Sequence, residues 1–336
     1  MTQSTVTAPN AQGVSRQRSI RRLEFISRNG IWIALAALIA FNVVASNGFL
    51  SWQTLQTNLG QMSTVAICAV GMTFIIAKGG IDLSVGSQMA VAGAVSGAII
   101  TSWSGLTSVP VVGLIVVLTA AMLSAAVLGT ANGFLVANLR VQPIVATLVV
   151  MITGRGLAQL MTSGRLYEIT NSQVLNLGRG TILGLPTMAW VMVIVVVLAT
   201  WMNRKTVFGR QVFAVGGNRI AAGLAGVPVR RVTYTVYMAS AALAGLAAVL
   251  SVGVNGTVDT ANLGLGYEFT VISAVVVGGT SLTGGKPRVL GTIGGVALLQ
   301  LLSYTLASHN IATEISSLVQ AGVILLAVAS QLRRKS

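Results

Sequence analysis

The chain alternates long apolar runs with short polar turns. The run from Asn58 to Ala77 carries no charge, and neither does the run from Ser87 to Trp103. Between them lies Lys78-Gly79-Gly80-Ile81-Asp82-Leu83-Ser84-Val85-Gly86, a polar and glycine-rich turn. One helix needs roughly 20 apolar residues to cross a bilayer, and about ten segments meet that criterion. They lie near 31–48, 58–77, 85–103, 109–137, 143–162, 186–202, 233–252, 268–279, 289–307 and 315–332. The eighth is short enough to be a half-helix that does not cross fully, which would change the count to nine or eleven. Lipid satisfies no backbone group, so a polar turn between such segments must be satisfied by caps, protein or water. The expected fold is an all-α polytopic membrane protein with about ten transmembrane helices, some short or interrupted. It divides into a tail at 1–29, a transmembrane domain at 30–332 with one long polar loop at 203–232, and a tail at 333–336.

Composition strengthens this reading. The chain is 54% hydrophobic and 8% charged, with a mean hydropathy of +0.83, whereas soluble domains carry about 25% charged residues. A net charge of +15 would suggest nucleic acid in a soluble protein, but the basic residues here sit in short loops and tails. No soluble face exists to present a basic patch, so nucleic acid is excluded as a partner. The same charges orient the chain, because cytoplasmic loops carry the excess of Lys and Arg. Arg16, Arg18, Arg21, Arg22 and Arg28 place the N-terminus inside. Inside loops then carry Lys78, Arg140, the group Arg204, Lys205, Arg210, Arg219, Arg230 and Arg231, and the pair Lys286 and Arg288. Arg333, Arg334 and Lys335 put the C-terminus inside as well, while the outside loops carry Arg165 and Arg179. Glu168, Asp259, Glu268 and Glu314 fall on or near the outside. The first thirty residues show no cleavable signal peptide, being polar and Arg-rich.

Ordinary catalysis is not supported. With one His, one Cys and six scattered acids, no triad or metal set is credible. Cys68 lies inside an apolar run and reads as a small core residue. His309 reads as a surface residue near the end of a span. Gly279-Thr280-Ser281-Leu282-Thr283-Gly284-Gly285-Lys286-Pro287 imitates a phosphate-binding loop, but Thr280 replaces the first Gly, Pro287 replaces the hydroxyl residue, and no strand precedes it. The chain therefore has no nucleotide site or cofactor of its own.

Several positions do carry information. Gly86, Ala90, Ala94 and Ala98 repeat every four residues, as do Ser240, Ala244 and Ala248; small residues at that spacing let helices pack closely in lipid. Gly278-Gly279-Thr280-Ser281-Leu282-Thr283-Gly284-Gly285 echoes the turn from Gly79 to Gly86, and interrupted glycine-rich segments in corresponding places point to a transport pathway. Asp82 is expected as a gate or pathway residue, as an N-cap of the third helix, or as both, with Ser84 as the other cap candidate. Arg155, within the fifth segment, must pair with a carboxylate, with Asp82 conceivable, or line a wet cavity. In the long loop, Asn218 is a plausible N-cap, Ala221 and Ala222 are good helix formers, and Gly226 with Pro228 makes a stop. This predicts a short helix suited to docking in a partner's groove, or else an ordinary surface helix.

Three motifs taken together resemble the permease subunits of bacterial ABC importers for monosaccharides, the ribose, xylose, arabinose, galactose and galactofuranose type, with autoinducer-2 permeases as relatives. They are Gly79–Gly86, Ala214-Val215-Gly216-Gly217-Asn218 with Ala221-Ala222 and Gly226-Val227, and Val277–Gly285 followed by Gly291-Thr292. Lys286-Pro287-Arg288 departs from relatives, which often carry a further Gly there. Thr147-Leu148 through Gly154-Arg155-Gly156 and Ala158-Gln159-Leu160 look closest to the galactofuranose type. The resemblance implies an ABC importer permease fold in the bacterial cytoplasmic membrane. It implies a second permease subunit, identical or related, and two ATPase subunits inside that use ATP and Mg. It also implies a periplasmic or lipid-anchored sugar-binding protein outside. Gly217, Asn218, Ala221, Ala222, Gly223 and Gly226 would form the coupling helix on the ATPase. Alternating access for a neutral sugar needs hydrogen-bonding side chains rather than countercharge, and Asn58, Gln61, Asp82, Ser84, Gln88 and Arg155 are the pathway candidates. Autoinducer-2 is the alternative substrate, and an ion-coupled secondary transporter or a membrane-embedded enzyme is the alternative class.

Overall fold

The computed structural model describes residues 30–102 and 109–332. Expectations that rest on residues 1–29, 103–108 and 333–336, including the arginines of both tails, lie outside the described residues. A helix lies on each of the ten expected segments. These are α1 (Gly30–Ala45), α2 (Trp52–Ala77), α3 (Val85–Ser102), α4 (Pro110–Ala137) and α5 (Pro143–Thr162). After a short helix α6 (Ser172–Arg179) come α7 (Thr187–Lys205) and two helices of the long loop, α8 (Val207–Gly217) and α9 (Arg219–Leu224). The series closes with α10 (Val229–Asn255), α11 (Tyr267–Val277), α12 (Val289–Ser308) and α13 (Thr313–Leu332). Among the described residues, 7 helices are long and apolar enough to cross a membrane, and α1 and α11 are shorter apolar helices. Four two-residue strands, β1 (Tyr167–Glu168), β2 (Thr181–Ile182), β3 (Leu185–Pro186) and β4 (Thr257–Val258), pair antiparallel as β1 with β4 and β2 with β3. The chain is thus an all-α polytopic membrane protein whose strands only clip connections together.

Helix α10 is the axle of the bundle and packs along α4 and α2. The contact is close because small residues face it. A Cβ on Gly71 of α2 would lie 2.6 Å from Ser240 Oγ, and one on Gly245 would lie 2.6 Å from the Ala121 carbonyl oxygen. Ser240, Ala244 and Ala248 are all buried, as are Gly86, Ala90 and Ala94, while Ala98 is half-buried. Both small-residue stripes therefore lie in helix contacts, as dispersion-driven packing in lipid favours. The outer faces of α4, α5 and α7 expose Val111, Leu123, Val127, Ile152, Leu160, Ile194 and Val197. An inside-out distribution of this kind marks a lipid-facing surface, since lipid leaves large aliphatic side chains nothing to hide from.

The eighth segment is a half-helix in length: α11 has 11 residues, about 16 Å at 1.5 Å per residue, against a hydrocarbon core of about 30 Å. The chain between α10 and α11 is irregular and runs along α3. Val258 packs against Gly97 and Gly93, Leu263 against Gly93, and Gly264 against Gly86. Glu268 is buried at the start of α11, with a carboxylate oxygen 2.9 Å from where a Cβ on Gly86 would be. The unwound stretch places α11 deep in the bundle, and the acid goes with it.

Candidate substrate cleft and coupling face

The two glycine turns fold alike. At the end of α2, Lys78 donates its N–H to Phe74 O, Gly79 to Ile76 O, and Gly80 to Ile75 O. At the end of α11, Gly278 donates to Ala274 O, Gly279 to Val276 O, and Thr280 to Val275 O. Gly79 and Gly279 hold φ of 86° and 87°, the left-handed conformation that closes a helix and that a Cβ disfavours. The echo read in the sequence is a repeated backbone device. The two turns also touch, because Gly285 N–H donates to the Ala77 carbonyl at 2.7 Å. Gly216, near the end of α8, sits on the same spot. A Cβ there would overlap the Ala77 carbonyl oxygen and lie 2.8 Å from Gly285 N, while a Cβ on Gly284 would lie 2.6 Å from Gly216 O. Main chain from three segments thus meets with no side chain between.

Helix α9 begins one turn further on. Asn218 Oδ1 accepts the N–H groups of Ile220 at 3.0 Å and Ala221 at 2.9 Å, and Gly226 closes the loop with φ of 81°. Ala222 is buried and anchors the helix, whereas Ile220 and Leu224 are 77% and 86% exposed. Gly217 and Gly226 leave open space around their backbones, and a Cβ on Gly223 would only touch Val229 at 3.9 Å. Helix α9 forms one wall of a groove of about 610 Å³ whose opposite wall is the α4–α5 connection with Arg140, Val141 and Gln142.

Asp82, Ser84 and Gln88 are fully buried and bonded to each other. Asp82 Oδ1 accepts from Ser84 N at 2.7 Å and from Ser84 Oγ at 2.5 Å, and Asp82 Oδ2 accepts from Gln88 Nε2 at 3.2 Å. Asn132 of α4 donates to Ser84 Oγ at 2.8 Å, and Thr147 Oγ1 of α5 accepts from Leu83 N at 3.1 Å. Asp82 therefore caps the N–H one residue before α3, and the Ser84 hydroxyl is spent on Asp82 rather than on the helix. Beside this knot, the Lys78 ammonium lies 4.3 Å from the ring centre of Tyr237, whose hydroxyl is buried without a hydrogen bond. Burial pushes the Lys78 amine down to about 7; the charge of Arg219 adds to this and Asp82 opposes it. Asn132, Thr147, Tyr237 and Gly216 are the residues that sequence reading did not place in the site.

Arg155, expected to pair with a carboxylate or to line a wet cavity, lies within electrostatic reach of Glu268 and Asp259 and hydrogen-bonds to backbone. Its Nη1 donates to the backbone carbonyls of Thr260 at 3.0 Å, Leu263 at 2.8 Å and Ala261 at 3.5 Å. Asp82 is bonded elsewhere. Irregular backbone inside a bundle leaves carbonyls without helical partners, and a planar, permanently charged donor can satisfy several at once. Asp259 Oδ1 tightens the same stretch by accepting from the N–H groups of Ala261 and Asn262, and its Oδ2 accepts from Asn262 Nδ2 at 2.6 Å. The side-chain bond from Asn262 holds the Asp259 carboxyl below its usual range.

This stretch walls a cleft of about 710 Å³ that opens at the end of the bundle away from α9. Gln56, Gln61, Thr64, Asn255, Asn262 and Tyr267 supply its polar groups. Tyr267 Oη and Thr64 Oγ1 lie 3.0 Å apart in its wall. Among the six pathway candidates, Gln61 lines the cleft. Gln300 Nε2 binds Gln61 Oε1 at 2.6 Å and Asn58 Oδ1 at 3.3 Å, which places Asn58 behind that wall. The wall is uncharged apart from Arg179 and Asp259. Arg179 is already committed through Nε to Val254 O at 2.8 Å. Such a surface can hydrogen-bond a neutral polyhydroxylated molecule and offers no free charge pair for an ion.

A half-helix preceded by unwound backbone along a polar cleft is a transport architecture. The sequence matches the family model described as branched-chain amino acid transport system / permease component over residues 54–328. The chain belongs to this permease family. The permease is 38% identical over 322 residues to the ribose import permease protein RbsC of Escherichia coli (strain K12), covering 94% of this chain and 97% of that one. It is 36% identical over 276 residues to the galactofuranose transporter permease protein YtfT of the same strain, covering 82% and 79%. It is 34% identical over 305 residues to the L-arabinose ABC transporter permease protein AraH of Azospirillum brasilense, covering 91% and 87%. No solved structure matches it. Among the described residues no group of His, Cys, Asp and Glu could hold a metal ion.

Proposed function

We propose that the permease is the transmembrane subunit of an ATP-driven importer that carries a monosaccharide, a pentose or a galactofuranose-like sugar, by alternating access. The observation that carries this reading is the cleft: amide, hydroxyl and phenol groups on a wall of unwound backbone, with its one free-standing guanidinium spent on a carbonyl. Sugars present hydroxyl donors and acceptors without charge, and such a lining matches them. The names of the relatives support the same class of cargo. A sugar-binding protein would deliver the ligand to the cleft, and ATPase subunits, with their own ATP and Mg, would bind α9 through exposed Ile220 and Leu224. A second permease subunit would complete the pathway. The basic end would face the cytoplasm of a bacterium and the cleft the periplasm or exterior. The Asp82–Ser84–Gln88–Asn132 knot would act as the inner gate, since it ties the start of α3 to α4 directly above the turn that α8 touches.

The test is uptake of labelled ribose, arabinose and galactofuranose into proteoliposomes holding the permease with its ATPase and binding protein. ATP-dependent uptake lost in Gln61→Ala and Asn262→Ala, with ATP hydrolysis kept, supports the reading. Accumulation driven by a proton or sodium gradient without the ATPase would overturn it.

A further inference from the structure

At the α9 end, but on the other side of α8, lies a second cavity of about 850 Å³. Arg204, Arg210, Lys286 and Arg288 line it, and among the described residues no acid does. Asn203 holds its wall shut by donating from Nδ2 to the Pro287 carbonyl at 3.1 Å. The Thr200 hydroxyl, on the same lining, is buried and makes no hydrogen bond. Four cations and an unspent hydroxyl around one hollow demand an anion, because like charges otherwise repel across it. The remaining walls are apolar: Trp32, Phe213 and Leu290 are 48%, 52% and 46% exposed, and Ile31 lies beside them. These side chains come from the start of α1, the loop helix α8 and the start of α12. The cavity therefore opens both to the basic loops and along the lipid-facing helices.

We propose that this cavity binds the phosphate headgroup of an anionic phospholipid, with one acyl chain lying along Trp32 and Leu290. A phosphate offers three acceptor oxygens to Arg forks and to a hydroxyl. Basic pockets between helices on the cytoplasmic side suit such headgroups, and the Trp at their edge sits where interfacial aromatics sit. A soluble anion would leave the apolar walls bare. An acidic loop of a partner protein would have to enter among side chains that face the bilayer. In sequence, residues 1–29 hold five Arg and one Glu, a net positive tail. A lipid in this place would brace α8 against the turn at Lys286–Arg288, on the opposite flank from the α9 groove.

The full chain, extracted from mixed vesicles of phosphatidylglycerol and phosphatidylcholine and weighed intact by native mass spectrometry, tests this. Phosphatidylglycerol should be retained in preference to phosphatidylcholine. Retention should fall more than about tenfold in the quadruple variant Arg204→Gln, Arg210→Gln, Lys286→Gln, Arg288→Gln, and not in Arg140→Gln with Arg230→Gln, which removes charge from the other groove. Equal retention of both lipids, or unchanged retention in the quadruple variant, overturns the proposal. So does displacement of the lipid by millimolar inorganic phosphate, which would mark a site for a free anion. Loss of ATPase binding with lipid retention intact would assign the cations to the protein partner instead, and overturn it as well. If the quadruple variant does not insert, a photoactivatable phosphatidylglycerol on the unaltered chain decides: label on α1 and residues 204–213 supports the site, and label elsewhere rejects it.

Discussion

Gly216 is packed directly against main chain of both glycine turns. Any side chain there overlaps the Ala77 carbonyl, and backbone cannot swing aside as a rotamer can. Gly216→Ala should cost about 1–3 kcal/mol, as overpacking does. Sugar uptake should fall at least about tenfold while the variant still reaches the membrane; uptake assays against expression level check this. Tyr237→Phe gives the opposite outcome. Its hydroxyl has no partner, so deleting it removes a buried polar group and leaves thermal stability unchanged or raised, read from a melting curve. Lys78 supplies a pH signature. Its amine is about 7 in the fold and near 10.5 ordinarily, so the unfolded chain binds more protons between those values. Stability should then rise with pH above about 7, by at most about 1.4 kcal/mol per unit, and level off near 10. The slope should vanish in Lys78→Met. Lys78 and Asp82 stand out in the sequence because charges are rare there. Tyr237 and Asn132 do not, since a lone Tyr or Asn inside an apolar run announces no partner until the fold supplies one.

At the scale of elements, the unwound stretch between α10 and α11 is the part most exposed to disruption. Arg155→Gln removes the donor to three carbonyls. Amide exchange over residues 258–266 should speed up by at least about tenfold, and uptake should fall, while exchange in α2 and α4 stays as it was. Hydrogen exchange with mass spectrometry measures both. Helix α9 is short and depends on its cap. Asn218→Ala should loosen it by about 1 kcal/mol, and Ala222→Asp, which buries a charge under it, should abolish ATP-driven uptake with the permease still inserted. Normal uptake by Ala222→Asp would show that α9 is not where force enters. The long apolar helices and their order were legible because a bilayer demands one long apolar run per crossing, whereas the short helices α6 and α8 carry no such run and were not. The α9 cap and stop were legible because Asn, Gly and Pro have fixed local meanings. The partner of Arg155 was not, because a guanidinium can be satisfied by carbonyls anywhere, and carbonyls leave no trace in composition.

For the whole molecule, hydrophobic patterning gave the bundle, but not which polar groups share a cavity. Gln61 on α2 and Asn262 before α11 reach the same cleft only because α11 is half the length of its neighbours and the chain before it folds inward. Ser84 and Gln88 carry the same chemistry as Gln61, yet three bonds to Asp82 seal them into the core. The permease alone, reconstituted without companion subunits, should equilibrate sugar at most and never concentrate it. The meeting of Ala77, Gly216 and Gly285 has one more consequence. A joint made only of peptide groups has no soft layer in which a push could dissipate, so the two repeats can only swing in step. Fluorescent reporters attached beside either glycine turn should therefore relax with one shared rate constant after ATP is added, and two separate rates would mean that slack exists where the backbone leaves no room for it.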